Sequence, residues 1–180
     1  MRFLIAPLCG LSLGLMSGAA LAEPAGFVSE VKLGVLAHDV PILGRDNREG
    51  GVDINGEILF QSVDLLGPDW QLRPHLGLQV NLSGGTSQAY AGLSATRYLS
   101  QRIWGTASVG GAIHTGETTD FDEDRKSLGS RALFRLAVEL GVDVTQNASV
   151  SLYFDHESNA SLGTFNPGLD NVGVRAGWRF

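Results

Sequence analysis

Apolar and polar residues alternate along most of the chain beyond residue 26. The segment Leu72–Ser83 shows this most clearly, because Leu76, Leu78, Val80 and Leu82 occupy every second position. A period of two is typical of a β-strand with one apolar and one polar face. A slip of one residue would exchange the two faces, so the pairing register should be well fixed.

Eight such segments of about ten residues can be marked, separated by turn-forming clusters of Gly, Asn, Asp, Ser and Pro. They are Phe27–His38, Val52–Gln61, Leu72–Ser83, Ala89–Ala95, Ile103–Ile113, Leu128–Val142, Val150–Ala160 and Asp170–Phe180. An even number of alternating segments predicts an all-β fold, an eight-stranded antiparallel transmembrane β-barrel of the outer-membrane type.

The polar faces of these segments carry regularly spaced charges. In a narrow barrel such charges should pair in the interior rather than form a conduction path, because eight strands leave little room for water. The residues expected in this interior network are Arg131, Arg135, Glu139, Arg175 and Glu57. A soluble lipocalin-like barrel, with its apolar residues inside, is the alternative.

The ends of the segments also favour a membrane barrel. The chain ends on Phe180, and five aromatic residues are candidates for interfacial anchors or for packing inside the barrel. These are Trp70, Tyr98, Trp104, Tyr153 and Trp178. Beyond the N-terminus no apolar run approaches the roughly 20 residues of a membrane helix, so membrane residence must use strands.

The connections between segments predict the orientation of the barrel. Long loops are expected at residues 39–51, 115–127 and 159–169, whereas the joins at Ser100 and Thr145 are tight. In outer-membrane barrels the long loops face the outside. The seventh segment should therefore end at the outer surface.

The N-terminus has the pattern of a secretory signal peptide. Arg2 precedes an apolar run from Phe3 to Met16, and small residues end the segment at Ala22. We expect residues 1–22 to be removed and residues 23–180 to form a single barrel domain. Cys9 lies in the removed segment, so the mature chain has no disulfide, thiolate metal site or cysteine nucleophile.

The charge of the chain bears on which ligands it could bind. The formal net charge is −6, which argues against a nucleic-acid partner, since phosphates need a basic patch. Asp120, Asp122 and Asp124 invite a calcium interpretation. The glycine and closing glutamate of an EF-hand are missing, which favours a solvated acidic loop and no metal site.

The seventh segment carries the candidate chemistry. Strand alternation places His156 and Ser158 together on the apolar face and points Asp155 and Glu157 the other way. Residues two apart on one face lie about 6 to 7 Å apart, so His156 could take the proton of Ser158 during attack on an ester. A surface histidine beside a loop serine is the simpler interpretation of this pair.

The residues of the seventh segment also resemble the motif of a known family. Phe154, His156, Ser158, Asn159 and Ala160 match a pattern F-x-H-x-S-N-A, which resembles the PagL family of outer-membrane lipid A 3-O-deacylases. The resemblance implies that Ser158 is the nucleophile and His156 the general base. It implies an acid at the start of the last strand, where the family pattern has Glu and this chain has Asp170, which is one methylene shorter. Strand alternation places Asp170 on the apolar face with Val172, close to His156, which it would reach through a shifted hairpin register or else orient less well. It links Asn159 to the oxyanion hole, with a backbone N–H near Ser161 as second donor.

The resemblance also implies the activity. A serine esterase of this family would hydrolyse the 3-position ester of lipid A in the outer membrane and release a 3-hydroxy fatty acid, without any cofactor. Its partners would be lipopolysaccharide and membrane lipids, and a homodimer stays open. Two alternatives remain, a non-enzymatic structural or ligand-binding barrel and another outer-membrane lipid esterase or acyltransferase.

Overall fold

The computed structural model describes residues 26–44, 47–119 and 125–180. The expected signal peptide and the acidic residues 120–124 lie outside this part of the chain. The described residues form eight β-strands. They are β1 Val28–Ala37, β2 Val52–Phe60, β3 Trp70–Asn81, β4 Gln88–Tyr98, β5 Ile103–His114, β6 Ala132–Asp143, β7 Ala148–Ser158 and β8 Leu169–Arg179.

The strands close into one barrel. Each pairs antiparallel with the next in sequence, and β1 pairs with β8 from Glu30↔Arg179 to Ala37↔Val172. Closure gives each of the described strands a partner on both edges, so their backbone groups are paired as a membrane interior requires. The predicted eight-stranded antiparallel barrel is confirmed.

The apolar face of the barrel points outward. Leu152 and Leu136 are 65% and 55% exposed, whereas the polar residues Asp53 and Asn171 in the lumen are 0% exposed. The lipocalin-like alternative is therefore wrong, because it requires the reverse arrangement. No helix in the described part of the chain is long and apolar enough to cross a membrane.

Paired charges fill the lumen. Lys32 Nζ lies 2.7 Å from Glu139, and Arg175 lies 2.7 Å from Glu57 and 3.3 Å from Glu139. Arg135 lies 3.2 Å from Asp155 and 3.3 Å from Glu157. Buried charges of this kind are tolerated because each has an opposite charge and hydrogen bonds.

One member of the predicted network is misplaced. Arg131 is exposed at the long-loop end, where its guanidinium donates to the carbonyls of His114 and Gly116, each at 2.8 Å. The reason is that β6 begins at Ala132 instead of Leu128. The preceding residues form a loop with Gly129 at φ 70°, which buries Leu128.

The aromatic residues divide into two groups. Trp70 and Trp178 are exposed on the outer wall near the end with the short connections, as interfacial anchors would be. Tyr98 is at the same end but on the lumen-facing side of β4, where its hydroxyl donates to Asp143 at 2.8 Å. Trp104 and Tyr153 are buried in the lumen and are packing residues. Trp104 donates its indole N–H to Asp143 at 2.9 Å, so its polar atom is satisfied.

The connections lie as the sequence predicts. Residues 38–51, 82–87, 115–131 and 159–168 join strands at one end, and residues 61–69, 99–102 and 144–147 join them at the other. We number the first four connections loops 1 to 4. Strand β7 ends among these loops, which places the end of its outward face at the outer rim.

Candidate active site

His156 and Asp170 are directly opposite each other in the β7–β8 ladder. Residues in such a pair have Cβ atoms about 4.5 to 5.5 Å apart, a distance that the short aspartate side chain can bridge. His156 Nδ1 lies 2.5 Å from Asp170 Oδ1. No shift of register is needed for Asp170 to reach the imidazole.

Ser158 is the last residue of β7 and lies on the outward face with His156. It pairs with Phe134 of β6 across the ladder. Among the described residues neither Ser158 Oγ nor His156 Nε2 has a hydrogen-bond partner. Catalytic hydrogen bonds are often long in the absence of substrate and tighten in its complex.

Asp155 and Glu157 point into the lumen, as alternation predicts. Both are fully buried. Asp155 accepts from Arg135 at 3.2 Å and from Asn171 at 2.9 Å, and Glu157 accepts from Gln88 at 3.0 Å. Neither carboxylate is available to His156.

A tight turn follows Ser158. Leu162 N donates to Asn159 O at 3.0 Å, and the two central residues Ala160 and Ser161 have φ of 51° and 63°. Positive φ at both positions defines a type I′ turn, and each non-glycine residue there costs roughly 1 to 2 kcal/mol. Within the described structure the N–H groups of Ala160 and Ser161 donate no hydrogen bond. They are free donors beside the serine.

Asn159 is buried next to Ser158, but its side chain faces loops 3 and 4. Its Nδ2 donates to the carbonyls of Leu128 and Phe165 at 2.8 and 2.5 Å. The amide therefore anchors the turn to the neighbouring loop. Its predicted contact with an oxyanion would require these hydrogen bonds to break.

Loop 1 contacts Asp170, and strand alternation does not predict this contact. The N–H groups of Leu43 and Gly44 donate to Asp170 Oδ2, the latter at 2.7 Å, and Val40 N donates to Asp170 O at 2.9 Å. The only sequence signal is that the apolar run 40–43 interrupts an otherwise polar loop.

Gly168 completes the packing around the imidazole. It has φ of 71°, and a Cβ there would lie 2.8 Å from His156 Cε1 and 3.4 Å from Gly44 Cα. Only glycine combines this backbone conformation with such a close approach. The backbone before β8 thus packs against one side of the His156 ring, and Gly44 of loop 1 packs against Gly168.

The other end of loop 1 is fixed in the barrel mouth. His38 lies between Asp53 at 2.8 Å and Glu49 at 3.1 Å. Burial acts to lower the pKa of His38, but the hydrogen bonds to these carboxylates outweigh it and raise the pKa to about 9. Burial acts to raise the pKa of Glu49, and donors from His38 and the backbone of Thr86 and Lys126 lower it to about 2.

Exposed apolar side chains surround the His156 and Ser158 pair at the rim. Each is more than a third exposed: Ile42, Leu43, Phe134, Leu136, Leu162 and Phe165. They come from loop 1, β6 and loop 4, so they flank the pair on both sides. The described residues contain no group of three or more His, Asp or Glu that could hold a metal ion.

A match to a family of known proteins covers two thirds of the chain. Residues 60–179 match the family described as lipid A 3-O-deacylase (PagL). The chain belongs to this family. The match includes β3 to β8 and all four candidate site residues, and it makes the chain a member of a family of lipid A ester hydrolases. No curated protein sequence matches the chain.

Solved structures support the fold of this PagL-family chain. The outer-membrane enzyme PagL superposes with a TM-score of 0.66 at 17% identity, covering 84% of this chain and 100% of that one. Neisserial surface protein A gives 0.54 at 12% identity, with coverage of 88% and 100%. The N-terminal barrel of Pseudomonas aeruginosa OprF gives 0.52 at 13%, with coverage of 84% and 98%. The chain is an outer-membrane β-barrel.

Proposed function

We propose that this PagL-family barrel is a serine esterase that hydrolyses the ester at the 3-position of lipid A and releases a 3-hydroxy fatty acid. The observation that carries the proposal is the hydrogen bond between His156 and Asp170 on the lipid-facing wall, two residues from Ser158. A carboxylate on Nδ1 leaves Nε2 as the basic nitrogen, which is the tautomer that a general base needs.

The reaction follows from these roles. Ser158 Oγ attacks the ester carbonyl while His156 Nε2 takes its proton, and the imidazolium then protonates the leaving 3-oxygen of the sugar. Water next attacks the acyl-enzyme, with His156 again taking a proton and returning it to Ser158. The products are a free fatty acid and lipid A with a 3-hydroxyl.

The negative charge on the carbonyl oxygen needs donors in place before the reaction. The N–H groups of Ala160 and Ser161 are the groups best suited to this role, since they follow Ser158 closely in the chain and donate no hydrogen bond within the described structure. One such donor contributes roughly 3 to 4 kcal/mol to transition-state stabilisation. Asn159 supports them by holding the turn.

The surroundings of the pair suit a lipid substrate. The apolar side chains at the rim would contact acyl chains without taking them out of the membrane. A separate groove of about 540 Å³ lies on the same wall, nearer the middle of β7, β8 and β1. Its apolar lining includes Leu33, Val35, Leu152, Val174 and Ala176.

The test compares the unmodified refolded barrel with Ser158→Ala and with Ser94→Ala, whose hydroxyl lies inside the barrel. Each protein is incubated with lipid A in detergent, and the masses of lipid A and of released fatty acids are followed. We expect loss of one 3-hydroxyacyl group with the unmodified protein and with Ser94→Ala only. Activity in folded Ser158→Ala would refute the nucleophile.

The products also separate the alternatives. Lysophospholipid or transferred palmitate would indicate another lipid esterase or an acyltransferase. No mass change with a folded barrel, and with lipid A carrying the 3-position ester, would indicate a non-enzymatic barrel.

A further inference from the structure

The carboxylate of Asp170 is held from two sides. Its Oδ1 contacts His156, and its Oδ2 accepts the N–H groups of Leu43 and Gly44. The residue is 0% exposed, so water does not compete for these contacts. Three donors converge on one short side chain, which fixes both its position and its rotation.

The donors themselves are fixed. Val40 N of loop 1 donates to the carbonyl oxygen of Asp170 in β8. The side chain of Asp39 accepts from Lys126 of loop 3 at 2.5 Å and from Glu49 N, within loop 1, at 3.1 Å. Gly44 packs against the backbone of Gly168, and a Cβ added to Gly44 would lie 3.1 Å from the carbonyl oxygen of Gly168. The amides therefore cannot follow the carboxylate if it moves.

This arrangement favours aspartate over glutamate. His156 and Asp170 are direct cross-strand neighbours, so the aspartate spans the distance to Nδ1 while its second oxygen meets loop 1. A glutamate would place its carboxylate one methylene farther from the strand. With loop 1 in its present place, that carboxylate could not contact both His156 Nδ1 and the N–H groups of Leu43 and Gly44.

Resting on the proposed function, we infer that the backbone amides of Leu43 and Gly44 are positioning groups for the reaction. They hold Asp170 against His156, and through it they orient the imidazole toward Ser158. Loop 1, on the opposite side of the β1–β8 seam from β7, is thus part of the working site.

The experiment removes one donor while the rest of the loop is kept. Leu43→Pro lacks the N–H, and Leu43→Ala, the matched control, keeps it and loses only the side chain. A second test variant, Asp170→Glu, changes the acid and leaves the loop intact. For each refolded barrel, kcat and KM for lipid A deacylation are measured together with the low-field proton resonance of His156 Nδ1–H, assigned by its loss in His156→Gln.

We expect Leu43→Ala to keep the resonance and to act mainly on KM, because it removes one apolar side chain of the rim and keeps the N–H. Leu43→Pro should shift or broaden the resonance and lower kcat by about tenfold to a hundredfold, with a smaller effect on KM, as small misplacements of catalytic groups do. Asp170→Glu should lower kcat as well. Equal loss in Leu43→Ala and Leu43→Pro, or an unchanged resonance and kcat in Leu43→Pro, would overturn the inference.

Asp170→Glu keeps the inference testable if Leu43→Pro fails to fold. Activity of Asp170→Glu equal to or above that of the unmodified protein would overturn the positioning role. Absence of deacylation in every protein, with the resonance still sensitive to Leu43→Pro, would overturn the proposed reaction and leave the contact between loop 1 and Asp170 standing.

Discussion

Within residues 26–44, 47–119 and 125–180, one serine–histidine pair lies inside the barrel and another lies on its outer wall. In the lumen, His75 Nδ1 lies 2.9 Å from Ser94 Oγ, which in turn lies 2.8 Å from Ser108 Oγ. On the outer wall, His156 and Ser158 share no hydrogen bond. By distance alone, the inner pair is the better match to a nucleophile and its base.

The inner pair lacks what the outer pair has. Among the residues that the structure describes, His75 Nε2 is buried without a partner and no carboxylate hydrogen-bonds to the ring. The side chains of His75 and Ser94 are both buried, away from any substrate in the membrane. The outer pair has Asp170, free N–H groups in the next turn, and an open face toward the membrane. Orientation of the histidine, stabilisation of the developing charge and access to substrate therefore distinguish a candidate site better than one short contact.

The largest expected effect comes from replacing each histidine by glutamine. His156→Gln should lower kcat by about 10⁴-fold to 10⁶-fold, because the nucleophile loses its base. His75→Gln should leave kcat within a fewfold and cost roughly 1 to 3 kcal/mol of stability, since it disturbs a buried hydrogen bond. Initial rates and heat-dependent gel mobility measure the two effects. The reverse pattern would make the inner pair the reactive one.

The next largest effect is expected from Asp170, on the outer face of the wall, in comparison with Asp155, on its lumen face. Asp170→Asn should reduce kcat by about 10⁴-fold, since an amide no longer selects the basic Nε2 tautomer. Asp155→Asn, one residue before His156 but facing the lumen, should instead weaken the barrel through its contact with Arg135. Rates measured at saturating substrate on folded protein separate the two. A comparable rate loss in Asp155→Asn would contradict the assignment.

A smaller effect is expected for Asn159→Ala. Losing the hydrogen bonds to Leu128 and Phe165 should loosen the turn, lowering kcat by about tenfold to a thousandfold, within the range for a lost oxyanion donor. Hydrogen exchange at residues 160–165 should accelerate at the same time. A rate loss with unchanged exchange would show that the Asn159 side chain meets the oxyanion directly.

The smallest effect is the pH dependence of loop 1. The pKa of His38 is raised from its ordinary value of 6.5 to about 9, so the protonated ring contributes its full stabilisation below about pH 6.5. That contribution is lost as the pH rises through about 9. Limited proteolysis within residues 38–51 should therefore increase between pH 7 and 10. His38→Gln should remove the step, and a step that persists in this variant would assign it to another group.

Strand alternation was sufficient to predict the fold. Period-two patterns predicted all eight strands and the faces of His156, Ser158 and Asp170, because the pattern and the pleat have the same period. The prediction failed where the pattern continued past the strand, as at Arg131, which lies in a loop despite its alternating position. It also could not tell a lipid-facing aromatic from one in the lumen, as Trp104 shows.

The candidate site was only partly predictable. The pairing of His156 with Asp170 followed from their places on neighbouring strands. The contact of Gly44 with Asp170 joins residues 126 apart through a backbone amide, which leaves no trace in side-chain pattern. The hydrogen bonds of Asn159 likewise go to backbone carbonyls, so their direction depended on loop conformations that periodicity does not describe.

The outward direction of His156 and Ser158 has a kinetic consequence. A reactive pair on the wall meets its substrate by lateral diffusion within one leaflet, and the released acyl chain can leave sideways without crossing water. The substrate variable is then the mole fraction of lipid A among the surrounding lipids rather than its bulk molarity. Diluting lipid A with an inert amphiphile should slow the reaction even when the total amount of lipid A is unchanged.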